Sequence, residues 1–467
     1  MHDTSCSADL PPKSTTKRTF AMGSNCKTRI VRFTATEIAN AVDGTVHGDD
    51  VPVEGVTIDS REVGTGKLFV PIVAERDGHN FVTDAVAAGA TAYLTAAGVV
   101  DGAATAITVD DTASALLRLG THARTRLPDR LIGITGSVGK TTVKDLTAAA
   151  LRPTYVTHAS VRSFNNELGV PITLANAPED VDAVVVEMGA RGRGHIEMLC
   201  DIARPTIGIV TTVELAHAEM FGTLEEVAAA KGELVEALPG SGTAVLNADK
   251  PLVIGMASRT DARVITFGVE TPGADVTASA VTIDDELRPS FHLQSPWGGA
   301  DITLQVRGAH QVMNGLAAAA AAMAAGATPD DVARGLATAV VSPWRMELTR
   351  TASGALVLND AYNANPASMA AALHSLAALP ARRRVAVVGV MAELGPDGPA
   401  AHRRIAELAR ELGIDVIAVA APDYGVPVVA NIDAAIAALG PVGDGDAVLV
   451  KASRVAGLER LAHALVN

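Results

Sequence analysis

The stretch from Gly133 to Thr142 reads GITGSVGKTT, and it constrains the fold more than any other part of the chain. Two apolar residues precede it, and a helical pattern over 143–151 follows it. A strand, a glycine turn and a helix start form a phosphate cradle, because backbone N–H groups point inward and the helix dipole favours an anion. This arrangement predicts a nucleotide-binding domain built of alternating strands and helices.

The loop contains six residues that we expect to bind ATP: Gly136, Ser137, Gly139, Lys140, Thr141 and Thr142. Lys140 would reach the terminal phosphates, and the Thr141 hydroxyl would bind Mg²⁺. The usual pattern G-x-x-x-x-G-K-[ST] requires a glycine at 134, where this chain has isoleucine. An ordinary strand–helix turn containing glycines is the alternative, but Gly-Lys-Thr-Thr at a helix start favours a phosphate loop.

Composition excludes several classes of protein. A chain of 467 residues is too long for one core and predicts two to four domains. Its net charge of −14 argues against non-specific binding to nucleic acid or to anionic membranes, and 3% aromatic residues leave little for base stacking. The three cysteines form no CxxC pair, and no apolar run reaches the roughly 20 residues that span a bilayer. We expect a cytoplasmic monomer without membrane insertion.

The N-terminal segment 1–29 is rich in Ser, Thr, Lys and Pro and has no apolar periodicity. This composition predicts a disordered tail. The tail has no apolar core of the kind that a secretory signal needs. Met22 is a second candidate for the start of translation, beside Met1.

A small α/β domain is predicted over 30–127. β-Branched runs indicate strands at 56–60 and 68–73, and a helical period covers 80–88. Pro128 then begins a linker to the phosphate loop.

The remainder of the chain alternates between apolar runs and helical periods. Over 128–344 this pattern predicts a central domain with a mostly parallel sheet, in which the polar segment 274–306 is an antiparallel excursion. After Pro343 the alternation restarts and ends in a predicted helix over 455–465, which indicates a Rossmann-like domain over 345–467. The expected fold class is therefore α/β with three domains.

Polar residues follow two predicted strands near the phosphate loop. Glu187 ends the run 183–187, and His217 follows the run 206–211. Carboxyl ends of parallel strands face the ligand crevice, so we expect Thr141, Glu187 and His217 to form one floor for metal and phosphate. Taken alone, a glutamate at a strand end is more often a helix cap or a surface charge, and a single histidine is usually structural. The neighbouring phosphate loop favours the metal site.

Lys231 and Arg345 each admit two interpretations. Lys231 lies on a predicted amphipathic helix over 224–238, where the pattern alone favours a solvated surface charge. Arg345, with Asp360, flanks the boundary between the second and third domains. An arginine at such a hinge can reach a γ-phosphate when the domains close, whereas a surface arginine is the alternative.

Together these residues resemble the Mur ligases, ATP-dependent enzymes that extend the peptide of the peptidoglycan precursor. The resemblance runs from about residue 34 to the end of the chain. The family's short loop T-G-x-x-G-K-T-[ST] matches 135–142, which accounts for the absent glycine. The segment 163–171 is similar to the family's N-N-x-x-G-x-P. The implied architecture is a UDP-substrate domain, a central P-loop ATPase domain and a Rossmann-like domain for the incoming amine.

The resemblance also implies roles for individual residues. Four would bind ATP beside the phosphate loop: Asn166, Asn314, Arg345 and Asp360. Four would bind Mg²⁺: Thr141, Glu187, His217 and Lys231, the last as a lysine carbamylated by CO₂. The implied catalytic residues are Lys140, Lys231, His217 and Arg345. Substrate would be bound by Ser60, Arg61, Asp77, Gly78 and His79 in the first domain and by Asn363 and Asn365 in the third.

Within the family, the chain is most similar to ligases that join D-Ala-D-Ala to UDP-N-acetylmuramoyl-tripeptide (UDP-MurNAc-tripeptide) through an acyl phosphate. Another Mur-type or folylpolyglutamate-type ligase is one alternative, and a nucleotide-binding paralogue without catalysis is another. The lysines, Glu187 and His217 argue against the second alternative. Four positions depart from the family pattern, the last two in the domain expected to receive the amine: Gln311, Trp344, Val390 and Ala452.

Overall fold

The computed structural model describes residues 32–102, 104–161, 163–214 and 221–466. The predicted tail 1–29, with both candidate start residues, and His217 lie outside the described residues. The described part is α/β throughout, which confirms the predicted fold class. None of its helices is long and apolar enough to cross a membrane.

The first domain is a five-stranded sheet with a small two-stranded ribbon. Its strands are β1 Arg32–Thr34, β2 Thr45–His47, β3 Pro52–Glu54, β4 Val56–Thr57, β5 Leu68–Phe69, β6 Ala92–Thr95 and β7 Thr105–Thr108. Its helices are α1 Ala35–Val42, α2 Val82–Ala87 and α3 Thr112–Arg124. The larger sheet has the order β2-β7-β6-β5-β4, with β1 paired to β3 in the ribbon.

Three elements of this domain differ from the prediction. The strand predicted over 56–60 ends at Thr57, because the Thr57 hydroxyl accepts a bond from the Asp59 N–H and turns the chain. The strand predicted over 68–73 ends before Pro71, which has no N–H for the ladder. The helix predicted over 80–88 is a 3₁₀ turn at Gly78–Phe81 followed by α2.

The central domain is built on a nine-stranded sheet. Its strands are β8 Leu131–Thr135, β9 Thr157–Ala159, β10 Ala183–Glu187, β11 Ile207–Val210, β12 Thr243–Asn247, β13 Arg263–Gly268, β14 Val276–Ile283, β15 Pro289–Ser295 and β16 Gly298–Thr303. Its helices are α4 Lys140–Leu151, α5 Gly169–Ala175, α6 His195–Ala203, α7 Leu224–Glu236, α8 Pro251–Ile254, α9 Gln311–Ala324 and α10 Pro329–Leu336.

The order of this sheet places the phosphate loop between the ends of two parallel strands. The order is β16-β15-β14-β13-β12-β11-β8-β10-β9, parallel from β9 through β14 and antiparallel beyond. The parallel sheet and the antiparallel excursion are thus as predicted. Strand β8 lies between β10 and β11, so the loop after β8 is adjacent to the carboxyl ends of both neighbours.

The third domain is a six-stranded sheet in the order β17-β18-β22-β19-β20-β21, parallel except for β17. Its strands are β17 Glu347–Arg350, β18 Leu356–Asn359, β19 Arg383–Val388, β20 Asp415–Val419, β21 Val428–Val429 and β22 Asp446–Lys451. Its helices are α11 Pro366–Ala378, α12 Gly398–Glu411, α13 Ile432–Leu439 and α14 Glu459–Val466. The helix predicted over 455–465 starts late, because Gly457 has a φ of 62° and interrupts it.

The apolar cores show which domains are joined. One core contains residues of the first domain and of one face of the central sheet, so these two domains pack as one unit. A second core fills the other face of the central sheet. The third domain has two cores of its own, and Leu287, in the turn between β14 and β15, packs into one of them. The third domain is therefore joined to the rest mainly through the connecting segment and this turn.

Candidate active site

The phosphate loop requires glycine at two positions. Gly136 has a φ of 141°, and a Cβ atom there would lie 2.0 Å from the Thr211 hydroxyl oxygen. Gly139, with a φ of 87°, immediately precedes α4, and its Cβ would lie 2.7 Å from Asn314 Oδ1. Larger residues would be strained in this left-handed conformation and would clash with these neighbours. The loop is thus packed between β11 and the start of α9.

Lys140 bends back over this loop. Its Nζ donates to the carbonyl oxygens of Gly136 at 2.8 Å and Ser137 at 3.3 Å. Removal of water by the surrounding protein lowers the pKa of this ammonium, while Glu187 opposes the shift and Arg345 adds to it. Two cations, Lys140 and Arg345, therefore lie next to the loop at the start of α4, as suits an anion site. The Ser137 side chain is also fixed. Its hydroxyl donates to the Glu214 carbonyl oxygen and accepts from the Glu214 N–H, both at 2.9 Å.

A buried carboxylate and a hydroxyl lie side by side next to the loop. Thr141 Oγ1 donates to Glu187 Oε2 at 2.8 Å, and Asn165 Nδ2 donates to Glu187 Oε1 at 2.8 Å. Glu187 is 1% exposed. The hydroxyl of Ser163 lies 3.1 Å from Thr141 Oγ1. The structure thus brings Thr141 and Glu187 together as predicted.

These two oxygen donors are suited to Mg²⁺. That ion prefers oxygen ligands, keeps several waters, and is commonly held by one or two carboxylates together with substrate phosphates. Within the described residues no group of three or more His, Cys, Asp and Glu could enclose a metal. The third predicted ligand, His217, lies outside the described residues.

Lys231 is not a surface residue. It lies on α7 and is 3% exposed, so the interpretation as a solvated charge is wrong. Burial lowers its pKa to about 7, Lys140 adds to the effect, and Glu233 and Glu187 oppose it. Its Nζ lies 5.8 Å from the centre of the Phe221 ring. A lysine in this state carries a large neutral amine fraction at neutral pH, unlike an exposed lysine.

Arg345 extends from the segment that precedes β17 to the phosphate loop. Its Nη2 donates to Thr141 Oγ1 at 2.8 Å and lies 3.4 Å from the Ser163 hydroxyl. Its guanidinium stacks over the Tyr362 ring, 4.2 Å from the ring centre. The alternative of a surface arginine is therefore wrong, because one side chain links this segment to Thr141.

Asp360 is held on the third-domain side of the same region. Its Oδ1 accepts from the Met346 N–H at 3.2 Å, and its Oδ2 accepts from Lys451 Nζ at 2.5 Å. Lys451 also donates to the Asn363 carbonyl at 2.9 Å. Asn365 caps α11, since its side chain accepts from the Ser368 N–H at 2.9 Å.

Asn314, which we expect to bind ATP, belongs to a chain of hydrogen bonds at the start of α9. Asn314 Nδ2 donates to Gln311 Oε1 at 2.8 Å, and Gln311 Nε2 lies 3.1 Å from His310 Nε2. Burial lowers the pKa of His310, which favours the neutral form of the ring. Gln311 replaces the family's asparagine and connects both neighbours. Asn166, by contrast, uses its Oδ1 to accept the N–H groups of 168 and 169 at the start of α5.

The five predicted substrate residues of the first domain occupy two segments, the loop at 60–61 and the 3₁₀ turn at 77–79 with its cap. Arg61 donates to both carboxylate oxygens of Asp59 at 2.9 and 2.6 Å, and lowers the pKa of Asp59 to about 2. His79 is oriented by Asp77 Oδ1 at 2.7 Å and by the Ala96 N–H at 3.1 Å. These hydrogen bonds stay within the first domain. Ser60 lies next to Arg61 in the loop, and Gly78 begins the 3₁₀ turn that contains His79.

Several polar residues near the site were not predicted from the sequence. Lys144 and Asp145 follow the phosphate loop on α4, Asn165 orients Glu187, and Lys451 holds Asp360. A polar pair on a helix gives no local sign of burial. Only the position of Asn165 within the motif segment 163–171 could have suggested its role.

Comparisons with known proteins agree with the predicted family. Residues 134–322 match the family described as Mur ligase middle domain, and residues 344–454 match the one described as Mur ligase, glutamate ligase domain. The UDP-N-acetylmuramoyl-tripeptide–D-alanyl-D-alanine ligase of Mycobacterium tuberculosis is 39% identical, over 94% of this chain and 98% of that protein. The ligase of the same name from Escherichia coli K12 is 37% identical, over 83% of this chain and 85% of that protein.

Solved structures give the same result. A crystal structure of MurF from Acinetobacter baumannii superposes with a TM-score of 0.82 and 27% identity, covering 94% of this chain and 99% of that chain. MurF from Thermotoga maritima, solved in complex with ADP, superposes with a TM-score of 0.77 and 26% identity, covering 88% of this chain and 96% of that chain.

Proposed function

The chain belongs to the Mur ligase family, and we propose that it joins D-Ala-D-Ala to UDP-MurNAc-tripeptide in peptidoglycan precursor synthesis, with ATP converted to ADP and phosphate. The observation that carries this proposal is the contact between Arg345 and Thr141, which links the segment leading into the third domain to the phosphate loop. A ligase that couples phosphoryl transfer to attack by an amine needs such a site between domains. The near full-length similarity to D-alanyl-D-alanine-adding ligases supports this choice of substrates.

The reaction takes place in two steps. A carboxylate oxygen of the tripeptide attacks the γ-phosphorus of ATP, the bond to the β-phosphate oxygen breaks, and an acyl phosphate and ADP result. The amine of D-Ala-D-Ala then attacks the acyl carbon, phosphate leaves, and the nitrogen loses a proton. Lys140 and Arg345 would neutralise the charge that develops on the transferred phosphoryl group, and the loop N–H groups would hold the remaining oxygens. No protein nucleophile is needed.

Thr141 and Glu187, with His217, would hold Mg²⁺ beside the phosphates. When bound, the ion would supply positive charge to the phosphate oxygens. Glu187 is suited to this role because Asn165 fixes one of its oxygens and leaves the other directed at the Thr141 hydroxyl. The Glu187 carboxylate is buried near the cations Lys140 and Lys231, so a bound metal ion would change the local charge balance strongly.

We also propose that Lys231 is carbamylated. Its neutral amine would attack the carbon of CO₂, a C–N bond would form, and one proton would be released, leaving an anionic carbamate. This change replaces a buried positive charge with two oxygen donors that suit Mg²⁺. Burial of Lys231 and its lowered pKa support the proposal, because the reaction requires the unprotonated amine.

The other sequence-based assignments complete the proposal. ATP would contact the phosphate loop together with Asn166, Asn314, Arg345 and Asp360. UDP-substrate would contact Ser60, Arg61, Asp77, Gly78 and His79, and the third-domain side would contribute Asn363 and Asn365. The domain boundaries at 30–127, 128–344 and 345–467, a monomeric state and a cytoplasmic location belong to the same proposal.

An acceptor-dependence assay tests the function. Purified protein is given ATP, Mg²⁺ and UDP-MurNAc-tripeptide, and ADP release is measured with D-Ala-D-Ala, with the diamino acid that other Mur-type ligases add, or with glutamate. We expect ADP release and a ligated product only with D-Ala-D-Ala, and no release from Lys140→Ala. Faster turnover with either other amine would assign the chain to another ligase of this fold. No turnover with any acceptor would favour a nucleotide-binding protein without catalysis.

A further inference from the structure

The segment 342–346, here called the strap, is attached to α4 at two points. The Ser342 N–H and hydroxyl both donate to Asp145 Oδ2, at 2.7 and 2.8 Å. Three residues later, Arg345 Nη2 donates to Thr141 Oγ1 at 2.8 Å. Thr141 and Asp145 are four residues apart in one helix, so they lie on the same face about one turn from each other. The strap therefore runs along this face of α4.

Asp145 is itself held in place. Its Oδ1 lies 2.8 Å from Lys144 Nζ, and these two side chains are 13% and 2% exposed. Lys144 Nζ also donates to the Ser160 carbonyl oxygen at 2.7 Å. The Ser160 hydroxyl in turn accepts from the Glu187 N–H at 3.3 Å. A series of polar contacts thus connects the strap to the backbone of Glu187, the residue whose carboxylate we expect to bind Mg²⁺.

The backbone of the strap is in a conformation that its residues disfavour. Trp344 has a φ of 61° and Met346 a φ of 55°, although neither is a glycine. Such left-handed residues persist only where the surrounding structure fixes them. Two bonds on the third-domain side help to do so: Tyr362 N–H donates to the Trp344 carbonyl, and Met346 N–H donates to Asp360 Oδ1, both at 3.2 Å. Asp145 supplies the anchor on the central-domain side.

We propose that Asp145 is a positioning residue, which fixes Ser342 and thereby holds the Arg345 guanidinium against Thr141 of the phosphate loop. This inference rests on the proposed function. Asp145 touches neither the nucleotide-facing atoms of the loop nor the reacting groups; it acts through Arg345. Loss of this anchor would let a strained strap relax and move the guanidinium, and a displacement of about 1 Å can cost on the order of 100-fold in rate.

The test is a double-mutant cycle on ADP release with UDP-MurNAc-tripeptide and D-Ala-D-Ala. We expect Asp145→Ala to lower kcat by roughly 10- to 100-fold and to leave the KM for UDP-MurNAc-tripeptide within about twofold. We expect the same substitution in an Arg345→Ala background to cause no further loss, because the group that Asp145 positions is already absent. Losses that multiply in the double variant would overturn the proposal.

The chain offers a matched control. Asp275 Oδ2 accepts from the N–H and the hydroxyl of Thr266, at 2.8 and 2.7 Å, in the same pattern that Asp145 makes with Ser342. Asp275→Ala therefore removes an equivalent pair of hydrogen bonds away from the strap, and its kcat should equal that of the parent. Ser342→Ala removes the hydroxyl bond and keeps the backbone bond, so we expect a smaller loss of kcat than in Asp145→Ala. This milder variant also serves if Asp145→Ala does not fold.

A spectroscopic measurement separates this proposal from the proposed function. The chain has two tryptophans, so Trp297→Phe leaves Trp344 in the strap as the single reporter. In that background Asp145→Ala should raise the quenching of Trp344 fluorescence by acrylamide, and Asp275→Ala should not. If the parent releases no ADP with any acceptor, the proposed function fails, whereas the quenching test still reports on the strap. If the parent turns over but Asp145→Ala changes neither kcat nor quenching, the positioning role is wrong.

Discussion

Replacing Lys231 with alanine tests the least expected part of the proposed site. With a pKa of about 7 instead of 10.5, this amine is about 90% neutral at pH 8, whereas an ordinary lysine is about 0.3% neutral. Burial therefore raises the concentration of the form that reacts with CO₂ by about 300-fold. We expect Lys231→Ala to lose activity by at least roughly 100-fold, beyond the usual effect of outer-shell partners of metal ligands.

The assay measures ADP release by Lys231→Ala with and without added acetate. Alanine leaves space in a buried site, so a small carboxylate can enter and supply the missing oxygens, and we expect partial recovery of activity. Lys231→Gln is the matched control: it cannot form a carbamate and leaves less space, so it should be inactive and insensitive to acetate. The wild-type enzyme should also lose activity in CO₂-depleted buffer and recover when bicarbonate is added.

Two results would refute this reasoning. Full activity of Lys231→Ala would show that the lysine has no part in the reaction. Loss of activity in Lys231→Ala without rescue, together with a wild type indifferent to CO₂, would leave Lys231 with a structural role. Because the amine becomes protonated below pH 7, activity that depends on the carbamate should fall as the pH falls through that range.

Three further predictions concern the loop, the tail and stability. Lys140→Ala should abolish ADP release and keep the circular dichroism spectrum, and near wild-type release would remove the loop from the mechanism. Deletion of residues 1–21 should leave the melting temperature and activity unchanged, since the tail lacks apolar periodicity, and a drop of several degrees on deletion would contradict this. Between about pH 7 and 10.5, Lys231 binds more protons in the unfolded chain than in the folded protein. Lys231 therefore lowers the free energy of unfolding most at low pH and progressively less as the pH rises. The test compares Lys231→Met with the wild type in CO₂-depleted buffer that contains a chelator. The variant should therefore have the higher melting temperature at pH 6.5, and the difference should shrink toward pH 10. A difference independent of pH would show that the pKa of Lys231 is not lowered.

The parts of the site that could be predicted from the sequence are those encoded within one strand–loop–helix unit. The order of residues from Gly136 to Thr142 determines the turn. Glu187 lies at the end of β10, which pairs directly with β8, the strand that precedes the loop. Both follow from local spacing and from the rule that the carboxyl ends of parallel strands face the crevice. The parallel sheet could be predicted for the same reason.

The burial of polar helix residues could not be predicted this way. Helical periodicity describes a helix with one buried face, whereas α4 packs against the sheet and also against α9 and α10. Lys144 is 1% exposed as a result, although its neighbourhood in the sequence has the appearance of a solvated face. Lys231 shows the same effect on α7. Which polar residue is enclosed by a second layer depends on the packing of segments distant in the chain.

Two of the departures from the family pattern, Trp344 and Ala452, are accommodated by their neighbours in the structure. Trp344 takes a left-handed conformation that favours glycine, but its ring and that of Tyr362 lie 5.1 and 5.4 Å from the guanidinium of Arg454, and such contacts contribute about 0.5–1 kcal/mol each at exposed sites. Ala452 carries a methyl group where the family has none, and the facing residue is Gly389, whose Cβ would lie 2.8 Å from the Ala452 Cβ. The Ala452 methyl group therefore occupies space that remains open because residue 389 has no side chain. Both residues are thus accommodated beside Arg345 and Lys451, which keep their bonds to Thr141 and to Asp360.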